Sequence, residues 1–188
     1  MATPIVWAIG ARPVSFSLPA TESPGIAENK MSYKIEFGGR ELLGSVEILW
    51  KELNRIHEAK SPYFNEDFSS FSFETRKREL IEKSERGSLR VVIASDQQGR
   101  IIGYCISSIE GREGEIDSIF VTEANRRKGI GAKLVEDSMH WLHRNSAEKI
   151  TVAVVYGNEE VFDFYRKFGL FPRVTILTSR QRINHSVD

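Results

Sequence analysis

Between residues 115 and 155 the chain runs from a strand-like stretch, Glu115 to Val121, through a basic glycine loop into a helix-like stretch, Ala132 to Arg144, and on to the β-branched run Ile150 to Val155. Strand, helix and strand with no room for another element can close only as a right-handed crossover, so the two strands lie parallel in one sheet. That constraint organises the rest. Upstream, Leu89 to Ser95, Arg100 to Ile109 and Glu115 to Val121 are joined by the turns Asp96-Gln-Gln-Gly99 and Gly111-Arg-Glu-Gly114, which makes them a meander. Earlier still, Tyr33 to Phe37 alternates as a strand. Leu42, Leu43, Val46, Leu49, Trp50, Leu53 and Ile56 then recur at helical spacing through about Lys60. A polar helix is expected from about Phe73 to Ser84, closed by Gly87. Downstream, a short helix from Glu159 to Phe168 ends at Gly169, placed as a left-handed cap, and a last strand is expected from about Phe171 to Ser179. A mostly antiparallel sheet with one parallel crossover and helices on both faces is an α+β fold.

With 188 residues and 40% apolar content the chain can bury one core. That core is expected within residues 31–180, followed by a tail at 181–188. Residues 1–30 are punctuated by Pro4, Pro13, Pro19 and Pro24 and read as a disordered extension, with Met31 as an alternative start. A net charge of zero argues against a nucleic-acid partner, which needs a broadly basic face, but leaves a local basic patch free to bind a small polyanion. No run approaches the roughly 18 apolar residues of a membrane span, so no membrane partner is expected. The single cysteine, Cys105, excludes an intrachain disulfide and fits a cytoplasmic setting. Inside an apolar strand it is a packing residue with no chemical role.

The loop Arg126-Arg127-Lys128-Gly129-Ile130-Gly131 carries the chemistry. A helix starts there, so its first N–H groups point outward with partial positive charge; Gly129 and Gly131 remove side chains that would hold a phosphate away, and the three basic residues add full charges. This suggests a pyrophosphate cradle. A Walker A loop is excluded because Lys133 stands at the wrong distance from Gly131 and is followed by Leu134. A dinucleotide fingerprint is excluded because Leu134 occupies the third small position and the nearest acid, Glu159, comes too late.

The pattern Arg-x-x-Gly-x-Gly after Glu-Ile-Asp-Ser-Ile-Phe-Val resembles the GCN5-related N-acetyltransferases, which move acetyl from acetyl-CoA to amines. The resemblance covers about residues 89–170. It implies that Arg126, Arg127, Lys128, Gly129, Ile130, Gly131 and Ala132 hold the CoA pyrophosphate. It also implies that main-chain groups of Ile119, Phe120 and Val121 pair with the pantetheine arm as an added strand, one N–H polarising the thioester carbonyl.

Glu115, eleven residues before Arg126, stands where some family members carry a general base. An amine of pKa near 10.4 is neutral in only about one molecule in a thousand at pH 7, so its proton must be removed, by the carboxylate directly or through water. Period-two geometry puts Asp117 on the same face, and it stays open as the base. The block Asn158-Glu-Glu-Val-Phe-Asp-Phe-Tyr-Arg-Lys-Phe-Gly-Leu170 matches the family's asparagine and Phe-Tyr-x-x-x-Gly pattern, with Leu170 in place of the last aromatic. By resemblance Tyr165 donates a proton to the departing thiolate, or packs against the sulfur. Asn158 bonds pantetheine or caps the helix.

The expected activity is therefore direct acetyl transfer from acetyl-CoA to a small-molecule or peptide amine, without a metal. A non-catalytic acyl-CoA sensor is the competing class, and a homodimer is open because dimers are common in the family. Glu136, His140 and His143 share one helix face but lack a fourth ligand, so they read as a solvated surface. His57 reads as a side chain near a helix end. The aromatics from Tyr63 to Phe73 either close the core between the first helices or wall a cationic acceptor.

Overall fold

The computed structural model describes residues 33–179; the expected extension at 1–30, the start at Met31 and the tail at 181–188 lie outside them. The sheet is built from β1 (Tyr33–Gly38), β2 (Ser88–Asp96), β3 (Ile101–Glu110), β4 (Glu113–Val121) and β5 (Lys149–Val152), in that spatial order. Neighbours from β1 to β4 are antiparallel and β5 is parallel to β4, as the crossover requires. The helices are α1 (Glu47–Lys60), α2 (Asn65–Ser70), α3 (Phe73–Arg86), α4 (Ile130–Arg144) and α5 (Phe162–Arg166).

Alternation along the strands divides the core between two faces. On one, Val91, Ile93, Tyr104, Ile106 and Phe120 meet Leu43, Val46, Leu49, Trp50, Phe73 and Leu80 from α1, α3 and the 3-10 turn Arg40–Val46. On the other, Val92, Ala94, Cys105, Ile109 and Ile116 meet Ile130, Leu134, Val135 and Leu142 of α4. The aromatic segment after α1 mostly joins the first core. Phe71 meets Trp50 edge-on, and Phe73 lies at a tilt to it with ring centres 5.5 Å apart.

Four expectations need correction. The helix from Glu159 is broken into a 3-10 turn, Glu159–Val161, and the short α5, and α2 forms in the aromatic segment, where no helix was expected. The strand expected at Ile150–Val155 ends at Val152, because β4 turns away at that level and residues 153–155 lose their partner. The strand expected at Phe171–Ser179 does not form: the segment is strand-like in composition but has no neighbour to pair with among the described residues, and a strand without a ladder is not stable in water.

Candidate active site

The break between β4 and β5 makes the site. Ser107 pairs with Ile116 and Ile106 with Ser118, so Asp117 is an extra residue, a β-bulge, and the strand bends there. β5 follows β4 only from Glu113 to Ile116. Beyond the bulge, the β4 edge from Asp117 to Val121 faces residues 153–155 across a cleft of about 860 Å³, within the range of small-molecule and cofactor sites.

One end of the cleft is the glycine loop. Gly129 caps α4 in the left-handed region at φ 79°, and Arg127 is held there too, at φ 60°, a conformation that non-glycine residues rarely adopt outside functional turns. Among the described residues no side chain caps α4, which leaves its first N–H groups open. At Gly131 an added Cβ would find its nearest neighbours, Phe164 and Val121, 3.7 Å away, so the protein itself has room for alanine. Gly131 also lines the cleft at the start of α4, so its missing side chain leaves the wall there bare. Arg126 donates from Nε to the Val121 carbonyl at 3.0 Å and lies against the Phe120 ring. Lys128 instead reaches Asn125 Oδ1, and the Ile130 side chain is core, leaving only its main chain toward a ligand.

The cleft also gathers Ile119, Phe120, Val121, Arg126, Arg127, Gly129, Gly131, Ala132, Asn158 and Tyr165 of the residues expected there. Tyr165 is buried, and burial pushes its hydroxyl above the ordinary tyrosine range, so it keeps its proton at neutral pH. Asn158 starts the 3-10 turn without capping it through its side chain; its Oδ1 accepts from Lys60 Nζ at 2.7 Å. Lys60 also pairs with Glu160, and Tyr63 stacks on Tyr156, so the end of α1 is tied to the loop after β5. At Gly157 in that loop a Cβ would lie 2.2 Å from the Lys60 carbonyl oxygen, a contact only glycine permits.

The two candidate bases are brought together by a residue the sequence did not single out. Lys83 of α3 donates to Glu115 Oε2 at 2.6 Å and to Asp117 Oδ1 at 2.5 Å. Burial lowers the affinity of Lys83 for its proton, but the hydrogen bonds to Asp117 and Glu115 outweigh it and the net shift is upward. Asp117 is fully enclosed. Burial raises its carboxyl above the usual range against the pull of Lys83, and Oδ2 has no hydrogen-bond partner among the described residues. Of the two acids, Asp117 contributes to the cleft wall, whereas Glu115 faces a smaller pocket of about 200 Å³ beside Ser108, Glu110 and Thr151.

His57 lines the cleft with Leu53, Ile56 and Lys60, which share one face of α1 at helical spacing. It packs edge-on against Phe68, and burial, then Lys60, pull its pKa down. The apolar stripe of α1 was visible in sequence, but which cavity it faces was not. Cys105 is buried, receives a hydrogen bond from Ser138, and has its thiol pushed up to about 11 by burial. A thiol so protonated is no nucleophile. Among the described residues no helix is long and apolar enough to cross a membrane, and no three His, Cys, Asp or Glu side chains are grouped to hold a metal.

Comparison with known proteins agrees with the fold. Residues 53–170 match the model of the acetyltransferase (GNAT) family. An aminoglycoside N-acetyltransferase in complex with CoA superposes with a TM-score of 0.60 at 14% identity, covering 84% of this chain and 99% of that one. A PaiA N-acetyltransferase from Thermoplasma acidophilum in complex with coenzyme A gives 0.58 at 20% identity, over 73% and 89%. An aminoglycoside acetyltransferase from an uncultured soil metagenomic sample, in complex with sisomicin, gives 0.56 at 17%, over 81% and 97%. At these identities the likeness is one of fold. No curated protein matches the sequence significantly.

Proposed function

The chain belongs to the GNAT acetyltransferase family, and from that premise we infer that it transfers acetyl from acetyl-CoA directly to a primary amine. The observation that carries this reading is the open β4 edge ending on an uncapped helix N-terminus, one continuous groove for a thioester arm and its pyrophosphate. Arg126 to Ala132 hold the pyrophosphate, with Lys128 adding charge from the rim. Main-chain groups of Ile119, Phe120 and Val121 bond the pantetheine arm. Lys60 occupies Oδ1 of Asn158, which leaves its Nδ2 as the donor toward that arm from the opposite wall.

The amine nitrogen attacks the thioester carbon, forming the N–C bond as the C–S bond breaks. Tyr165 gives its proton to the sulfur and regains one from solvent. The amine proton leaves through water to Glu115, which forms the solvent end of the Glu115–Lys83–Asp117 cluster, with Asp117 at its cleft end. No acyl-enzyme is needed, in keeping with the protonated Cys105 thiol. The acceptor belongs to the class of small-molecule or peptide amines, a reading supported by the aminoglycoside acetyltransferases among the structural neighbours.

The test is the pH profile of kcat/KM for Glu115→Gln, Asp117→Asn and Tyr165→Phe. Glu115→Gln is expected to lower the rate by about 10²-fold, most steeply at low pH where the amine is protonated, with CoA affinity nearly intact. Tyr165→Phe slows thiol release. Unchanged kinetics in Glu115→Gln alongside a lost limb in Asp117→Asn would move the base to Asp117.

A further inference from the structure

The cleft passes through the sheet. α1 packs on one face and α4 on the other, yet Leu53, Ile56 and His57 of α1 line the same space as Gly131 and Ala132 of α4, where β4 and β5 part. With a pyrophosphate on the α4 side, the thioester arm enters from that side along β4. An acceptor nitrogen then meets the carbonyl from the α1 side, so the chemistry of the α1 wall selects the acceptor.

That wall is apolar at Leu53 and Ile56, with His57 beside them and Lys60 a turn further on. Lys60 is already committed: it donates to Asn158 Oδ1 and pairs with Glu160. His57 is not. Its ring meets Phe68 edge-on with centres 5.6 Å apart, and its nitrogens have no hydrogen-bond partner among the described residues. Phe68 is itself fixed from α1, because Asn54 Nδ2 donates to its carbonyl at 2.6 Å, so the imidazole is braced where it stands. Burial, then Lys60, lower its affinity for a proton, which leaves it neutral at pH 7 with a lone pair to offer.

The carboxylates point the same way. Among the described residues two line the cleft, Asp117 and Glu160. Asp117 is fully enclosed between Lys83 and Arg76, and Glu160 is held by Lys60. A second ammonium on the acceptor would lose its water with no free counter-charge to receive it. An apolar body, in contrast, gains from lying along Leu53 and Ile56.

We propose that the acceptor is a primary amine of single charge on an apolar body, seated along Leu53 and Ile56 with its nitrogen bonded to His57. Polycations are correspondingly poor substrates. The proposal rests on acetyl transfer in this cleft and narrows its acceptor. His57 binds and orients the amine, whose proton still leaves toward Glu115.

Thiol release at saturating acetyl-CoA gives kcat and KM for n-propylamine through n-hexylamine, for spermidine and for an aminoglycoside. The expected result is a kcat/KM that rises about threefold to fourfold with each methylene, the worth of burying one. Both polycations should lie about tenfold or more below n-hexylamine. His57→Ala is expected to raise KM for n-hexylamine about tenfold, with kcat and the Kd for CoA within about twofold. Ile56→Glu, which puts a carboxylate on the wall, should bring spermidine above n-hexylamine, its CoA affinity showing that it is folded. A flat series, polycations used as well as n-hexylamine, or an unmoved KM in His57→Ala would overturn the proposal and leave acetyl transfer standing. So would a folded Ile56→Glu that keeps the original preference, or a collapse of kcat in His57→Ala with KM held, which would make the histidine the base. Thiol release with none of these amines, from a protein that binds CoA, would remove acetyl transfer itself and this proposal with it.

Discussion

Gly131 separates what the fold needs from what a ligand needs. Gly129 is required by its own backbone, at φ 79°, but Gly131 lies within α4, and a methyl group there would make only ordinary contacts. Gly131→Ala is therefore expected to leave the melting temperature within about 2 °C, since alanine is the better helix former. It should weaken CoA binding by about tenfold to a hundredfold, because charge-assisted hydrogen bonds at the helix start are lengthened. Calorimetric melting and titration on one sample read both quantities. His57 supplies a second expectation. Burial, then Lys60, hold its pKa below the ordinary 6.5, so on acidification the unfolded chain takes up its proton first. Stability from this residue is complete above about pH 6.5 and declines as pH falls toward the folded-state value. Denaturant titrations of the wild type and His57→Gln should differ in slope with pH over that window, the variant being flatter.

At the scale of elements, the bulge at Asp117 is the decisive feature, because it ends the β4–β5 ladder and opens the groove. It is held from α3 by Lys83 and by Arg76, whose Nη2 donates to the Asp117 carbonyl at 3.0 Å. Lys83→Met would leave a fully enclosed carboxylate without its ammonium, so it should cost about 3–5 kcal/mol of stability by chemical denaturation. The double variant Lys83→Met/Asp117→Asn should recover much of that. The parallel crossover and the glycine loop could be read in the sequence because both depend on local signals: chain length between strands, β-branched runs, and glycines before a helix. The bulge could not, since Ile116-Asp117-Ser118 alternates like any strand and only the register of β3 shows the extra residue. Nor could the role of Lys83 or His57, for a helix face declares its polarity and not its neighbour. The segment 171–179 was legible as strand material, and its lack of a partner within the chain is a fact of the fold that composition does not carry.

For the whole molecule, a net charge of zero coexists with a cleft that carries Arg126 and Arg127 at its glycine-loop end and has Lys167 in its lining. Steering toward a polyanionic ligand is thus local and should weaken with salt, whereas the apolar α1 wall should not. The central claim is that this cleft transfers acetyl from acetyl-CoA to an amine. Its most direct measurement is release of CoA thiol from acetyl-CoA in the presence of a mixed panel of aminoglycosides, polyamines and peptide amines, with mass spectrometry of the panel. The expected result is amine-dependent thiol release matched mole for mole by an acceptor heavier by one acetyl group. CoA bound by the protein with no thiol released and no acceptor acetylated across the panel would contradict it.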